Sequence, residues 1–201
     1  MQFSKLSNIP NSVTVAMNGK ALKKRAAGER VYNLSAGEPM LDTDPRIINA
    51  AHQALLSGAT HYTPVPGIPA LRAAAAEYLN AYSGANYTVA QTMVTLGGKS
   101  AYNLLCQALL DQGDEVLVVK PFWVSYSSIA ELYGANVQFV ETSEVQDWKL
   151  QPEQIKEYVT KKTKFLVLNN GSNPTGNLYS RDELQEILRI AKEQNVLVIS
   201  Y

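Results

Sequence analysis

From about residue 93 onward the chain alternates short runs in which nearly every residue is apolar with longer stretches of helix-forming composition. Continuous apolar runs such as EVLVV, KFLVLN and VLVIS are what strands covered on both sides look like. The pattern predicts strands at 93–96, 115–119, 136–140, 163–168 and 196–200, with helices at 99–110, 123–133, 152–160 and 181–194 between them. Such regular alternation implies an α/β fold, a largely parallel sheet with helices on both faces.

Before residue 93 the signals are helical and loop-like. A helix is expected from Asn11 to Ala27, closed by Gly28, and a short strand from Val31 to Leu34 leads into the loop SAGEP at 35–39. Asp44 and Pro45 form an N-cap and a first-turn proline for a helix over 46–57 that Gly58 ends. The proline- and glycine-rich loop HYTPVPGIP starts at His61, a further helix spans Ala70–Tyr82, and Thr88 with Gln91 has the spacing of a capping box. Ser180 and Glu183 repeat that spacing ahead of the last helix. There is no internal repeat and no low-complexity segment. The final apolar strand has no helix after it to cover the sheet, so the fold is expected to be the first part of a longer one.

Composition removes several classes of partner. With 46% hydrophobic and 18% charged residues in 201, the chain is an ordinary globular sequence rather than a disordered one. Lys and Arg number 18 and Asp and Glu 18, and Lys23–Lys24–Arg25 is the longest basic run, so neither nucleic acid nor a membrane surface is the expected partner. No apolar run approaches the roughly 20 residues of a bilayer span. MQFSKLSNIP lacks a signal-peptide core, which gives a cytoplasmic expectation. The single cysteine, Cys106, cannot form an internal disulfide and reads as a buried structural thiol. His52 and His61 have no companions at ligand spacing, so no metal site is expected.

In open α/β sheets ligands bind at the carboxyl ends of the strands, so the loops after 96, 119 and 168 are where chemistry is expected. The first is Gly97–Gly98–Lys99–Ser100 opening a helix, where backbone N–H groups and the helix dipole could hold an anion. It is not a Walker A loop, because residue 93 is Met where that motif needs glycine. Taken alone, two glycines also make a plain tight turn. The second loop brings Trp123, a flat surface for a ring or simply a packing residue. The third, Asn169 to Gly176, holds amides that could donate to a ligand oxygen or merely shape a turn. Together the three describe a site for a flat phosphorylated cofactor.

SAGEP at 35–39, HYTPVPGIPALR at 61–72, GGK at 97–99, FWVSY at 122–126 and SNPTG at 172–176 resemble the class I aminotransferases, and the aromatic-Trp-Val-Ser-Tyr string resembles their bacterial aspartate aminotransferase group. The resemblance covers nearly the whole chain. It implies a transaminase acting on an L-amino acid and a 2-oxo acid, a homodimer, and pyridoxal 5′-phosphate (PLP) as cofactor, the cofactor supplying the electron sink and the protein the grip and orientation. Carried over residue by residue, Gly98 and Lys99 give backbone donors to the PLP phosphate, Trp123 stacks on the pyridine ring, and Asn173 bonds the phenolic oxygen. Gly37, Trp123 and Asn173 face the substrate, Gly37 beside its carboxylate, and Tyr62 reaches the phosphate of the neighbouring subunit's cofactor. The implied division is residues 1–42 as N-terminal arm with part of a small domain, and 43–201 as the first part of the large PLP-binding domain.

The chain departs from the family in two respects. Tyr201 stands where the family has an aspartate that pairs with the pyridinium nitrogen: as a substitution it is a neutral phenol that cannot supply that charge, and a deletion of three residues joining Ser200 to the family's later tyrosine would read the same. The Schiff-base lysine, and the arginine that grips the substrate carboxylate, belong to segments absent from these 201 residues. Ser4–Lys5 copies the lysine segment only superficially, and Lys99 falls at the phosphate end. The expectation is a 201-residue polypeptide that is inactive alone and aggregation-prone. Its alternatives are a non-catalytic PLP-binding or dimerisation module, or an aminotransferase for aromatic amino acids, prephenate or alanine.

Overall fold

The computed structural model describes residues 12–35 and 37–201, which form two compact units, one over 12–95 and one over Leu96–Tyr201. The expected helix start at Asn11, the Ser4–Lys5 pair and Ala36 of SAGEP lie outside the described residues.

The 12–95 unit is built from capped helices. In α1 (Val13–Ala26) the Ser12 hydroxyl accepts from the Val15 N–H, and in α2 (Pro45–Leu56) the Asp44 carboxylate accepts from the Arg46 N–H at 2.8 Å. Helix α3 (Pro69–Ser83) ends at Gly84, whose φ of +70° is the left-handed backbone that closes helices. The Arg72 guanidinium then ties α3 to the next segment, donating to the carbonyls of Thr92 at 2.8 Å and Val89 at 2.5 Å across the short 3₁₀ turn Val89–Gln91.

Two expected strands are corrected here. Neither 31–34 nor 93–96 is a strand: a strand exists by pairing with a neighbour, and these runs have no ladder partner among the described residues. Val94 instead gives its N–H to the Pro66 carbonyl at 3.0 Å and presses so closely on Gly67 that a Cβ there would lie 2.6 Å from it.

The Leu96–Tyr201 unit is the expected α/β sheet. Strands β1 (Glu115–Val119), β2 (Asn136–Val140), β3 (Thr163–Leu168) and β4 (Leu197–Ser200) are all parallel, in the order β2-β1-β3-β4. Alternation along each strand sends Val116, Val118, Phe165 and Val167 to one face and Leu117, Leu166 and Leu168 to the other. The first face is covered by α4 (Gly97–Leu109) and α5 (Ser125–Leu132) through Tyr102, Cys106, Tyr126 and Ala130. The second is covered by α6 (Pro152–Tyr158) and α7 (Arg181–Glu193) through Ile155, Ile187 and Ile190. Burying each large apolar side chain contributes about 1.5–3 kcal/mol, which explains why both strand faces had to read as apolar. Helix boundaries differ from expectation at both functional loops. Helix α4 starts at Gly97, so the glycines form its first turn, and α5 starts at Ser125, leaving Trp123 in the loop. No helix among the described residues is long and apolar enough to cross a membrane.

Candidate functional site

The sheet order creates one natural crevice. From β1 the chain goes to β2 on one side, while β3 lies on the other, so the loops after β1 and β3 part at their carboxyl ends. There a cavity of about 20 Å³, room for about one water, is lined by Val119, Phe122, Tyr126, Asn169, Ser172 and Asn173 among others. The Lys120–Pro121 and Asn173–Pro174 peptide bonds in these two loops are cis.

Asn169, at the end of β3, organises the third loop. Its side-chain carbonyl accepts from the Asn173 N–H at 2.8 Å, and its amide donates to the Tyr201 carbonyl at 2.9 Å, so one residue sets both the SNPTG turn and the end of β4. The Gly176 N–H closes the turn onto the Ser172 carbonyl at 2.6 Å. The side-chain amide of Asn173 is exposed and makes no hydrogen bond among the described residues, leaving it available to a ligand.

Trp123 is half-buried, edge-on to Tyr126 with centroids 5.4 Å apart, and the Lys99 ammonium lies 5.0 Å from its ring centroid. A cation over an indole is favourable by about 0.5–1 kcal/mol at an exposed site. Helix α4 has Leu96 at its N-cap, a side chain that carries no acceptor and makes no capping hydrogen bond. Tyr126 is buried and its hydroxyl has no hydrogen-bond partner among the described residues. Burial, and then the neighbouring Tyr201 hydroxyl, pushes its pKa above the ordinary phenol range, so it stays protonated.

The structure therefore brings Gly98, Lys99, Trp123 and Asn173 into one unit, at or beside the carboxyl ends of β1 and β3. Gly37 and Tyr62 lie in the 12–95 unit, both exposed, Tyr62 fully. The sequence pointed to Asn169 only as one of several amides in its loop, and gave no separate role to Tyr126. The signal for Asn169 was its place directly after an apolar strand; for Tyr126 nothing distinguished a core tyrosine from one with a spare hydroxyl.

The residue types suit a flat phosphorylated ring: a glycine-lined helix start, an indole, and a free amide. The room does not. A Cβ built on Gly98 would lie 2.5 Å from the Tyr201 hydroxyl oxygen, so the phenol already fills the space over that glycine. The Tyr201 ring also sits 5.6 Å from Trp123, tilted by 37°, and 5.6 Å from Tyr126, edge-on. With Tyr201 in this position PLP does not fit on Trp123 and Gly98 together.

Comparison with known proteins gives the same direction throughout. Residues 29–200 match the family model described as aminotransferase class I and II. The aspartate/prephenate aminotransferase of Thermus thermophilus is 42% identical over 94% of this chain, and an aspartate aminotransferase of a Bacillus species is 37% identical over 98%. Among solved structures, the Thermus thermophilus aspartate aminotransferase with maleate covers the whole chain at 40% identity with a TM-score of 0.96. An alanine aminotransferase from Pyrococcus furiosus does so at 30% and 0.93. The chain spans about half the length of the relatives it matches, 49% and 50% of the two sequences and 52% and 51% of the two structures. The chain belongs to the class I and II aminotransferases, enzymes that work with pyridoxal 5′-phosphate.

Proposed function

We propose that these 201 residues supply the cofactor-holding half of a cytoplasmic, homodimeric transaminase that moves an amino group from an L-amino acid, aspartate first, to a 2-oxo acid such as 2-oxoglutarate. The observation that carries this reading is the 42% identity, along 94% of the chain, to a protein named aspartate/prephenate aminotransferase. That name makes prephenate the second acceptor to test, and the alanine aminotransferase likeness makes alanine a second donor. The division at 42/43, with the large PLP-binding domain beginning there, is part of the same proposal.

PLP, when bound, supplies the electron sink. The chain's own contribution is grip. Backbone N–H groups at Gly98 and Lys99, in the first turn of α4, would hold the phosphate, favoured by the helix dipole. Trp123 would hold the ring, and the free amide of Asn173, in the turn set by Asn169, would donate to the phenolic oxygen. Gly37 lies beside the substrate carboxylate, and Tyr62 reaches the partner subunit's cofactor phosphate, which accounts for a tyrosine left wholly in solvent in one chain. The Schiff-base lysine is not among these residues, so the 201-residue polypeptide assayed by itself does not turn over.

The test has two parts. PLP added to the purified chain should quench Trp123 fluorescence, and Asn173→Ala should weaken the binding; the alternative of a non-catalytic PLP-binding module predicts the same binding. Aspartate with 2-oxoglutarate should then give no sustained product from the 201 residues alone, but product when the segment carrying the lysine is joined to them. Turnover by the 201 residues that survives borohydride treatment would sink the grip-only assignment. A joined protein that binds PLP yet never transaminates would favour the non-catalytic module.

A further inference from the structure

We propose that Tyr201 is a built-in gate of the ring slot: its phenol occupies the place of a ligand ring, and PLP reaches Trp123 and Gly98 only when that side chain swings out. The proposal rests on reading the slot as a PLP site and adds what stands in it.

Three observations carry it. The Tyr201 hydroxyl oxygen lies over the α-carbon of Gly98, so near that a Cβ there would be 2.5 Å from it and 2.7 Å from the ring carbon that bears it. The same ring contacts Trp123 and Tyr126, both at 5.6 Å between centroids, in tilted and edge-on geometries that aromatic pairs favour. The Tyr201 backbone is anchored independently, its N–H donating to the Leu168 carbonyl at 3.0 Å and its carbonyl accepting from Asn169 at 2.9 Å. Opening therefore needs only side-chain rotation.

This gives Gly98 a second role. A glycine at that position could serve an anion's approach or a tight turn; here it also makes clearance for the phenol, because any side chain at 98 would collide with it. A six-membered ligand ring and the phenol cannot share that clearance. If the closed arrangement is favoured by about ten to one, the apparent Kd for PLP is raised about tenfold, since only the open fraction binds.

The experiment has a ligand-free arm and a PLP arm, both on the whole 201-residue chain. In the first, Gly98→Ala is introduced into the native protein and into Tyr201→Ala, and thermal unfolding is followed with tryptophan emission. The added methyl should lower Tm and shift the emission only where the phenol is present; equal effects in both backgrounds would overturn the seating of Tyr201 on Gly98. In the second, PLP is titrated by absorbance. Tyr201→Ala should bind about tenfold more tightly than the native chain, while Tyr201→Phe, which keeps the ring, should bind like it. A Tyr201→Ala Kd within twofold of native overturns the gate even if the PLP reading stands. Coupling between Gly98 and Tyr201 with no PLP binding in any variant overturns the PLP reading of the slot, and the gate with it.

Discussion

Tyr126 and Tyr179 are both buried tyrosines, one packed on each face of the same sheet, and they are treated in opposite ways. The Tyr179 hydroxyl accepts from the Leu150 N–H at 2.8 Å and so completes the backbone hydrogen bonding ahead of α6. The Tyr126 hydroxyl, beside the crevice at the carboxyl ends of β1 and β3, has no partner among the described residues. The contrast extends to the helices. Helix α7 begins with Ser180 accepting from the Glu183 N–H at 3.2 Å and Glu183 answering to the Ser180 N–H, and Lys149 pairs with Glu183 at 3.2 Å; at the N-cap of α4 the Leu96 side chain makes no such bond. A buried polar group left unmatched costs about 1–3 kcal/mol, so the two faces of the sheet differ in how fully their polar groups are satisfied.

The largest test of this contrast is in the packed face. Ile187, wholly buried between α7 and the sheet, should cost about 2–5 kcal/mol when changed to alanine, read by urea unfolding. A loss below about 1 kcal/mol would mean that the α6–α7 face collapses around the gap and is not the rigid one.

On the α4–α5 face the corresponding probe is pH. Burial pushes the Cys106 thiol from its usual 9.0 up to about 11, with the Tyr102 hydroxyl pulling it partly back. The thiol then stays protonated in the fold while the unfolded chain ionises, so its contribution is intact below pH 9 and is lost as pH rises towards 11. The loss is at most about 2–3 kcal/mol by linkage. Cys106→Ala should flatten the fall in stability between pH 8 and 11; an unchanged slope would place the loss elsewhere.

The tyrosine pair gives the sharpest discrimination. Tyr179→Phe strips the Leu150 N–H of its acceptor and should cost about 1–3 kcal/mol, whereas Tyr126→Phe removes a hydroxyl that has no partner and should leave stability unchanged or raised. Equal losses would erase the contrast. The smallest effect is at the helix starts: Ser180→Ala should cost about 1 kcal/mol. Leu96→Ser, at an exposed position, should add a few tenths of a kcal/mol to α4, and it should weaken PLP binding by engaging a first-turn N–H. Both are measured by thermal unfolding, the second also by PLP titration.

Much of this was legible residue by residue. The α6–α7 side could be read almost to the boundary, because Ser180 and Glu183 announce the helix start and KFLVL can only be a covered strand. The loops were legible as candidates for a site, because GGK, FW and SNPTG follow apolar runs. Their internal wiring was not. Asn169 and Asn170 are adjacent and chemically alike, yet Asn169 sets the SNPTG turn while Asn170 accepts from the Tyr179 N–H at 2.8 Å. The runs at 31–34 and 93–96 misled, because β-forming composition describes a residue's preference and says nothing of whether a neighbouring strand exists to pair with.

The sequence by itself determined the caps, the turns, the apolar strands, the balanced charge and the family, all of which act through a residue and its near neighbours in the chain. Tertiary structure alone decided that β1 and β3 lie side by side, which opens the crevice, and that the Tyr126 hydroxyl is buried beside it without a partner. It also decided that the phenol of Tyr201 rests on Gly98, 103 positions earlier in the chain. Contacts of that range depend on the order in which strands pair, and hydrogen bonds between strands are made by backbone groups that every sequence carries alike.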